Sequence, residues 1–211
     1  MKTNIELTLL MKKQENIEII GTYARYSDYN AMIHLNTEKN TLKTPLKLAL
    51  AAVFAALVCV ATLALVISIP ATSGYFNLGE TVIYVAALLF GPLVGGTAGG
   101  VGAAIADILV APQFALGTLI VKGLEGAIVG FLNKKIQKRT RSLSLSATAS
   151  VIIGGLEMVA GYFIYEQLVL GYPLAVALVE VPFNVVQMLV GLIVAVIIVH
   201  VVLRVFPQLK S

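Results

Sequence analysis

The chain has 211 residues, 58% of them hydrophobic and 12% charged, with a mean hydropathy of +0.91. Soluble domains carry about 25% charged residues, so this composition excludes an ordinary soluble fold and points to an integral membrane protein. The formal charge of +4 permits a nucleic-acid partner in principle, but its clustering points to membrane topology instead.

Residues 1–44 are polar and mixed in charge, and read as a cytoplasmic N-terminal extension ahead of a membrane domain over 45–211. IEIIGTYARY and AMIHLN hold the β-branched and aromatic residues of short strands, so a small hairpin and a loosely ordered extension both fit. Lys12, Lys13, Glu15 and Glu18 interrupt any early apolar core and argue against a cleaved signal peptide.

A continuous apolar run from Leu46 to Ile69, opened by Pro45 and Lys47 and closed by Pro70, predicts the first helix. At about 1.5 Å per residue it can cross the ~30 Å hydrocarbon layer. It carries two AxxxA registers, Ala51 with Ala55 and Ala52 with Ala56, which suit internal helix packing or a docking face for a partner membrane protein. The lone cysteine, Cys59, lies in this run and reads as a packing residue. The connector ATSGYFNLGE then suits either a short lid over a cavity mouth or an interfacial loop with aromatic anchors.

A second span is predicted from Leu78 to Leu89, a tight turn at Gly91-Pro92, and a third helix from Leu93 to Val110. Glycine weakens a helix in water by roughly 1 kcal/mol per interior position, whereas in a membrane small residues permit close helix contact. Gly95, Gly99, Ala103 and Asp107 recur at four-residue spacing, so a smooth face ends in a carboxylate. A fourth helix is predicted from about Phe114 to Leu132, a basic loop over 133–146, a fifth helix from Ala147 to Leu170, and a sixth from Leu174 to Val205. The reading is an all-α, polytopic, six-transmembrane-helix bundle.

Lys43, Lys47, Lys134, Lys135, Lys138, Arg139, Arg141, Arg204 and Lys210 all fall on one side of such a bundle. The connectors 70–77, 110–113 and 171–173 contain no Lys or Arg, so the positive-inside rule puts both termini in the cytoplasm. The basic loop lacks interleaved aromatics and lies near lipid headgroups, so no nucleic-acid partner is expected.

Glu80, Asp107, Lys122, Glu125, Glu157, Glu166 and Glu180 lie in or at the ends of apolar segments, where charge is expensive unless it faces a protein interior, a partner or a water-filled cavity. Helical spacing puts Glu80 and Tyr84 on one face and allows Lys122 and Glu125 to pair, or both to meet a ligand. Glu180, Asn184 and Gln187 follow one another at roughly helical spacing, and Asn77 lies in the connector. Glu166, near a helix end, reads as a solvated group. The candidate substrate-binding residues are therefore Asn77, Glu80, Tyr84, Asp107, Lys122, Glu125, Glu157, Glu180, Asn184 and Gln187. No nucleophile, base and orienting group stand at a recognised spacing, and the glycine run lacks the lysine and hydroxyl of a P-loop, so no enzyme activity is expected. No CxxC or His/Cys cluster is present and the only histidines are His34 and His200, so no metal or cofactor is expected.

The stretches GYFNLGETVIYVAALLFGPLVGGTAGGVGAAIADIL and LIVKGLEGAIVGFLNKKI resemble the substrate-binding S components of energy-coupling factor (ECF) transporters, the vitamin importers of prokaryotes. The resemblance covers about residues 45–206. It implies a six-helix bundle in a prokaryotic cell membrane that captures a vitamin or precursor on the outer side. It also implies association with a transmembrane coupling subunit and two cytoplasmic ATPases, with Ala51, Ala52, Ala55 and Ala56 as docking positions and the segment from Gly74 to Gly79 as a substrate-covering loop. Two other classes stay open: a secondary transporter driven by an ion gradient, for which the intramembrane carboxylates argue, and an assembly factor that transports nothing. The excess of carboxylates over Lys122 favours a cationic, amine-bearing or hydrogen-bond-donating solute, among them thiamine-like and pyrimidine-like compounds.

Overall fold

A computed structural model describes Arg25 and residues 45–207. The chain divides into two compact units, Met1–Leu46 and Lys47–Ser211. The hairpin or extension expected over residues 1–44 lies outside the described residues apart from Arg25.

Six helices are described from residue 45 onward: α1 (Pro45–Ala64), α2 (Gly79–Phe90), α3 (Pro92–Val110), α4 (Ala115–Thr140), α5 (Leu143–Leu168) and α6 (Leu174–Val205). All but α2 are long and apolar enough to cross a membrane. Large apolar side chains stand exposed along them, including Val60, Ile108, Leu109, Leu116, Ile120, Phe131, Ile193 and Ile197. Water would penalise this belt and hydrocarbon does not, which makes the chain a multi-pass membrane protein.

Two boundaries differ from the sequence reading. The first helix stops at Ala64 instead of running to Ile69, and Ile67–Ile69 becomes strand β1, paired antiparallel with β2 (Gly74–Phe76). The β-branched run Val66-Ile67 suits an extended backbone, and Ile67 faces Phe76 while Ile69 faces Gly74 across the hairpin. The connector is thus an ordered hairpin, its turn closed by the Thr72 and Ser73 N–H groups on the Ile69 carbonyl.

The second difference concerns the basic segment. Residues 133–140 are the last two turns of α4, and only Arg141 and Ser142 interrupt the chain before α5. Lysine and arginine are good helix formers and are favoured near a helix C-terminus, where Lys138 and Arg139 meet the negative end of the dipole. Arg141 ends the helix in a left-handed conformation (φ 53°), and the Ser142 hydroxyl caps α5 by accepting from the Leu145 N–H at 3.3 Å.

Helices α3 and α4 pack backbone against backbone. A Cβ on Gly99 would stand 2.6 Å from the Lys122 carbonyl oxygen, and one on Gly126 would stand 2.5 Å from the backbone carbon of Gly95. Only glycine allows the two backbones to approach this closely. The turn at Gly91 (φ 88°) lets α3 fold back on α2. One apolar core joins Ala51 and Val58 of α1 to Ile83, Tyr84, Val94, Ala98, Val129, Val151 and Val199. A second, comprising Ala111, Phe114, Val121, Met158, Val159, Tyr162 and Met188, lies toward the hairpin end. Pro182 inside α6, two residues from both Glu180 and Asn184, withholds the N–H that would bond the Leu178 carbonyl.

Candidate functional site

Beneath the β1–β2 hairpin lies a cavity of about 340 Å³, counting the part continuous with solvent. Its wall comes from five places: Gly74, Tyr75 and Asn77 of the hairpin and its exit, Asp107 of α3, Phe114, Thr118 and Lys122 at the start of α4, Tyr162 of α5, and Glu180, Asn184 and Gln187 of α6.

Asp107 accepts hydrogen bonds from the Tyr75 hydroxyl and the Thr118 hydroxyl. The Thr118 oxygen stands 2.8 Å from the Tyr162 hydroxyl, so with Thr118 donating to Asp107 the tyrosine donates in turn. Burial, reinforced by the Asp107 carboxylate, pushes the Tyr75 phenol above its ordinary value, which keeps it a neutral donor.

Lys122 is buried and ion-paired with Glu80 and with Glu125, the latter at 3.6 Å, and its ammonium lies 5.3 Å from the centre of the Tyr162 ring. The Tyr84 hydroxyl donates to Glu125 at 2.6 Å. Gln187 connects this network to the hairpin: its side-chain N–H donates to Glu80 at 2.9 Å while its carbonyl accepts from the Asn77 N–H, also at 2.9 Å. Lys122 is therefore neutralised from behind. Among the described residues it is the one buried cation, against the carboxyl groups of Glu80, Asp107, Glu125, Glu166 and Glu180 and the half-buried Glu157.

Of the ten residues expected at the site, Asn77, Asp107, Lys122, Glu180, Asn184 and Gln187 line the cavity. Glu80, Tyr84 and Glu125 form the buried layer behind them. Glu157 stands on α5 with one carboxylate oxygen buried and without a hydrogen-bond partner. The solvated reading of Glu166 is wrong: α5 and α6 close over it and it is fully buried. Tyr75, Phe114, Thr118 and Tyr162 were not singled out. A signal existed for part of this set, since Phe114, Thr118 and Lys122 recur every four residues on α4.

The two alanine registers of α1 separate. Ala51 and Ala55 are 2% and 8% exposed, with the Ala55 carbonyl packed on Gly102 of α3, whereas Ala52 and Ala56 are exposed. Internal packing takes the first register, so Ala51 and Ala55 are not available to a partner. Only the second is left for one.

A family model described as ECF-type riboflavin transporter, S component, matches residues 43–204. The chain belongs to this family of S components. It is the substrate-capture subunit of an ECF-type importer, and its family is one of transporter subunits rather than enzymes. A curated protein of Pyrococcus woesei, described only as an uncharacterized protein in the gap 3' region, is 43% identical over 137 residues, which make up 65% of this chain and 88% of that protein. Among solved structures, an S component of a bacterial ECF transporter superposes with a TM-score of 0.59 at 21% identity, covering 80% of this chain and 99% of that one. ThiT from Listeria monocytogenes also gives 0.59, at 22% identity, covering 79% and 98%. At such identities the two structures show the fold that this S component shares.

Proposed function

We propose that this S component captures a small water-soluble nitrogen heterocycle, a vitamin or its precursor, that bears positive charge or several hydrogen-bond donors. The observation that carries this reading is the cavity under the hairpin. Aromatic Tyr75, Phe114 and Tyr162 offer flat apolar faces, Asn77, Asn184 and Gln187 offer amides, and Asp107 and Glu180 bring carboxylates that Lys122, already paired, does not offset. Glu80, Tyr84 and Glu125 act as positioning residues behind the lining, with Glu157 beside them.

The family description supports a second reading, riboflavin. Its ribityl hydroxyls and ring N–H supply donors without positive charge, so a cation and a neutral compound separate the two. Small molecules released from gently purified protein should be identified by mass spectrometry, and thiamine and riboflavin titrated calorimetrically against the emptied protein. Submicromolar binding of thiamine or another cationic heterocycle, with weak riboflavin binding, is expected. The reverse order would replace the first reading by the second.

For energy, the subunit joins a transmembrane coupling subunit and two cytoplasmic ATPases, with Ala52 and Ala56 in the docking face of α1. ATP-dependent uptake should vanish when the coupling subunit is deleted, and normal uptake without it would favour an ion-driven carrier. Residues 1–44 form a cytoplasmic extension, both termini are cytoplasmic, and the hairpin opens outward. This orientation is supported by the basic end of α4 and the Lys- and Arg-free connectors. Labelling that found residue 74 on the cytoplasmic side would reverse it.

A further inference from the structure

At the end of the bundle away from the hairpin, the first turn of α5 meets the last turns of α6. The His200 Nδ1 atom lies 2.8 Å from the Val196 carbonyl oxygen, which can only accept, so Nδ1 carries the proton, and Nε2 faces the Ser144 hydroxyl at 3.1 Å. This contact ties α6 to the start of α5 beside an open groove of about 400 Å³, a ligand-sized volume, lined by Leu143, His200, Val201, Leu203 and Arg204. Three of these side chains are apolar, and Val201 is exposed together with the neighbouring Val205 and Phe206. His200 and Arg204 are exposed as well.

The charge around the groove has one sign. Arg204 is the first charged residue after Glu180, and neither 126–156 nor 181–207 contains Asp or Glu. Arg141 stands two residues before Leu143, directly after Lys138 and Arg139 at the end of α4. The two ion pairs among the described residues both belong to Lys122, so none of these cations is neutralised by a carboxylate. A soluble anion on Arg204 would leave the apolar wall in contact with water, and a purely apolar chain would leave the guanidinium unpaired. A molecule anionic at one end and apolar at the other satisfies both. The depth of the groove fits such a molecule: α6 rises about 48 Å over its 32 residues, about 18 Å more than the hydrocarbon layer, so its basic end reaches the headgroups while Val201 still borders the acyl region.

We propose that this groove seats one anionic phospholipid of the surrounding leaflet, with its phosphate on the Arg204 guanidinium and the first part of an acyl chain against Leu143, Val201 and Leu203. The guanidinium fork matches two phosphate oxygens at once, and the cations of the adjoining α4–α5 turn draw anionic headgroups toward it. In the orientation proposed above this is the cytoplasmic leaflet, where anionic lipids give the surface its negative potential. The seat is independent of the solute held under the hairpin.

The test is native mass spectrometry of the full chain in mild detergent, titrated with phosphatidylglycerol or with phosphatidylcholine of the same acyl chains. One phosphatidylglycerol should be retained at about a tenth or less of the concentration that phosphatidylcholine requires, as loss of a charge-assisted contact predicts. Arg204→Gln should weaken that retention by about tenfold or more, whereas Lys135→Gln, which removes the same charge from α4 outside the groove, should change it less than about threefold. Val201→Ser, at an exposed position of the wall, should weaken it by about threefold or more through lost apolar contact. Equal retention of the two lipids, or equal effects of Arg204→Gln and Lys135→Gln, would show attraction to surface charge in general and overturn the proposal. Displacement of phosphatidylglycerol by millimolar glycerol phosphate would assign the groove to a soluble phosphate. A dimer that bears no lipid and is lost in Arg204→Gln would assign it to a second copy of the chain, and either result removes the lipid.

Discussion

Lys122 is the residue whose removal should be felt most. It is 3% exposed and ion-paired with Glu80 and Glu125, which are buried as well, so Lys122→Met leaves two carboxylates in the interior without a counter-charge. Breaking a buried pair from one side costs about 3–5 kcal/mol, most of it the penalty of the charges left behind. At about 2–4 °C per kcal/mol for a chain of this size, the unfolding midpoint in detergent should fall by roughly 6–20 °C. The chain has no tryptophan, but its single cysteine, Cys59, is half-buried in α1, so a thiol-reactive fluorophore reports unfolding directly. Because the cost arises from stranded charge, the triple variant Lys122→Met, Glu80→Gln, Glu125→Gln should recover most of the loss. A single variant that melts within about 2–4 °C of the parent, equivalent to about 1 kcal/mol, would refute the reasoning. So would a triple variant as unstable as the single one.

Three further outcomes follow from the same geometry. Gly126→Ala forces a Cβ into the Gly95 backbone and should lower the midpoint by roughly 2–12 °C, whereas Gly123→Ala, whose Cβ meets nothing nearer than 3.7 Å, should leave it unchanged or raise it; equal effects would contradict the close α3–α4 contact. Thr118→Val removes a hydroxyl that donates to Asp107, a charge-assisted bond worth about 1.5–3 kcal/mol, so affinity for whichever test compound binds the parent should drop roughly 10- to 100-fold by calorimetry. Tyr75 has its phenol raised in the folded chain by burial and by Asp107, so its contribution is fully present below its unfolded value near 10 and is lost only as pH rises through the higher folded value; a Tyr75→Phe variant should be less stable than the parent throughout the neutral range, and an ultraviolet titration showing Tyr75 ionising with the exposed tyrosines would contradict this.

Much of the bundle was legible because its helices end where the sequence is punctuated. Leu174 follows Pro173, Gly91-Pro92 separates α2 from α3, and the sixth span has the bounds that its apolar run predicts. What failed depended on partners distant in sequence or on composition read too literally. Ile67 to Ile69 continue an apolar run, and only their pairing with Gly74 to Phe76 marks them as a strand. The lysines after Asn133 suggested a loop by charge, although nothing between Ala115 and Thr140 breaks a helix. Ala51 and Ala52 are alike locally; which of them faces inward depends on where α3 lies. Glu180, Asn184 and Gln187 share a wall, as their spacing suggested, because periodicity alone decides that. The burial of Glu166 depends on the α5–α6 contact, which no single stretch records.

Helix α2 has 12 residues, a rise of about 18 Å, against a hydrocarbon layer of about 30 Å. With the proposed orientation, the hairpin and the cavity take up the remaining height, and the polar recess lies within the thickness of the membrane instead of above it. A solute captured beside Asp107, as proposed, would have left bulk water behind and would stand below the level of the headgroups. On the proposed reading, the stretch of low-dielectric material still ahead of it would be about the length of one short helix, and a coupling partner would have only that reduced barrier to open.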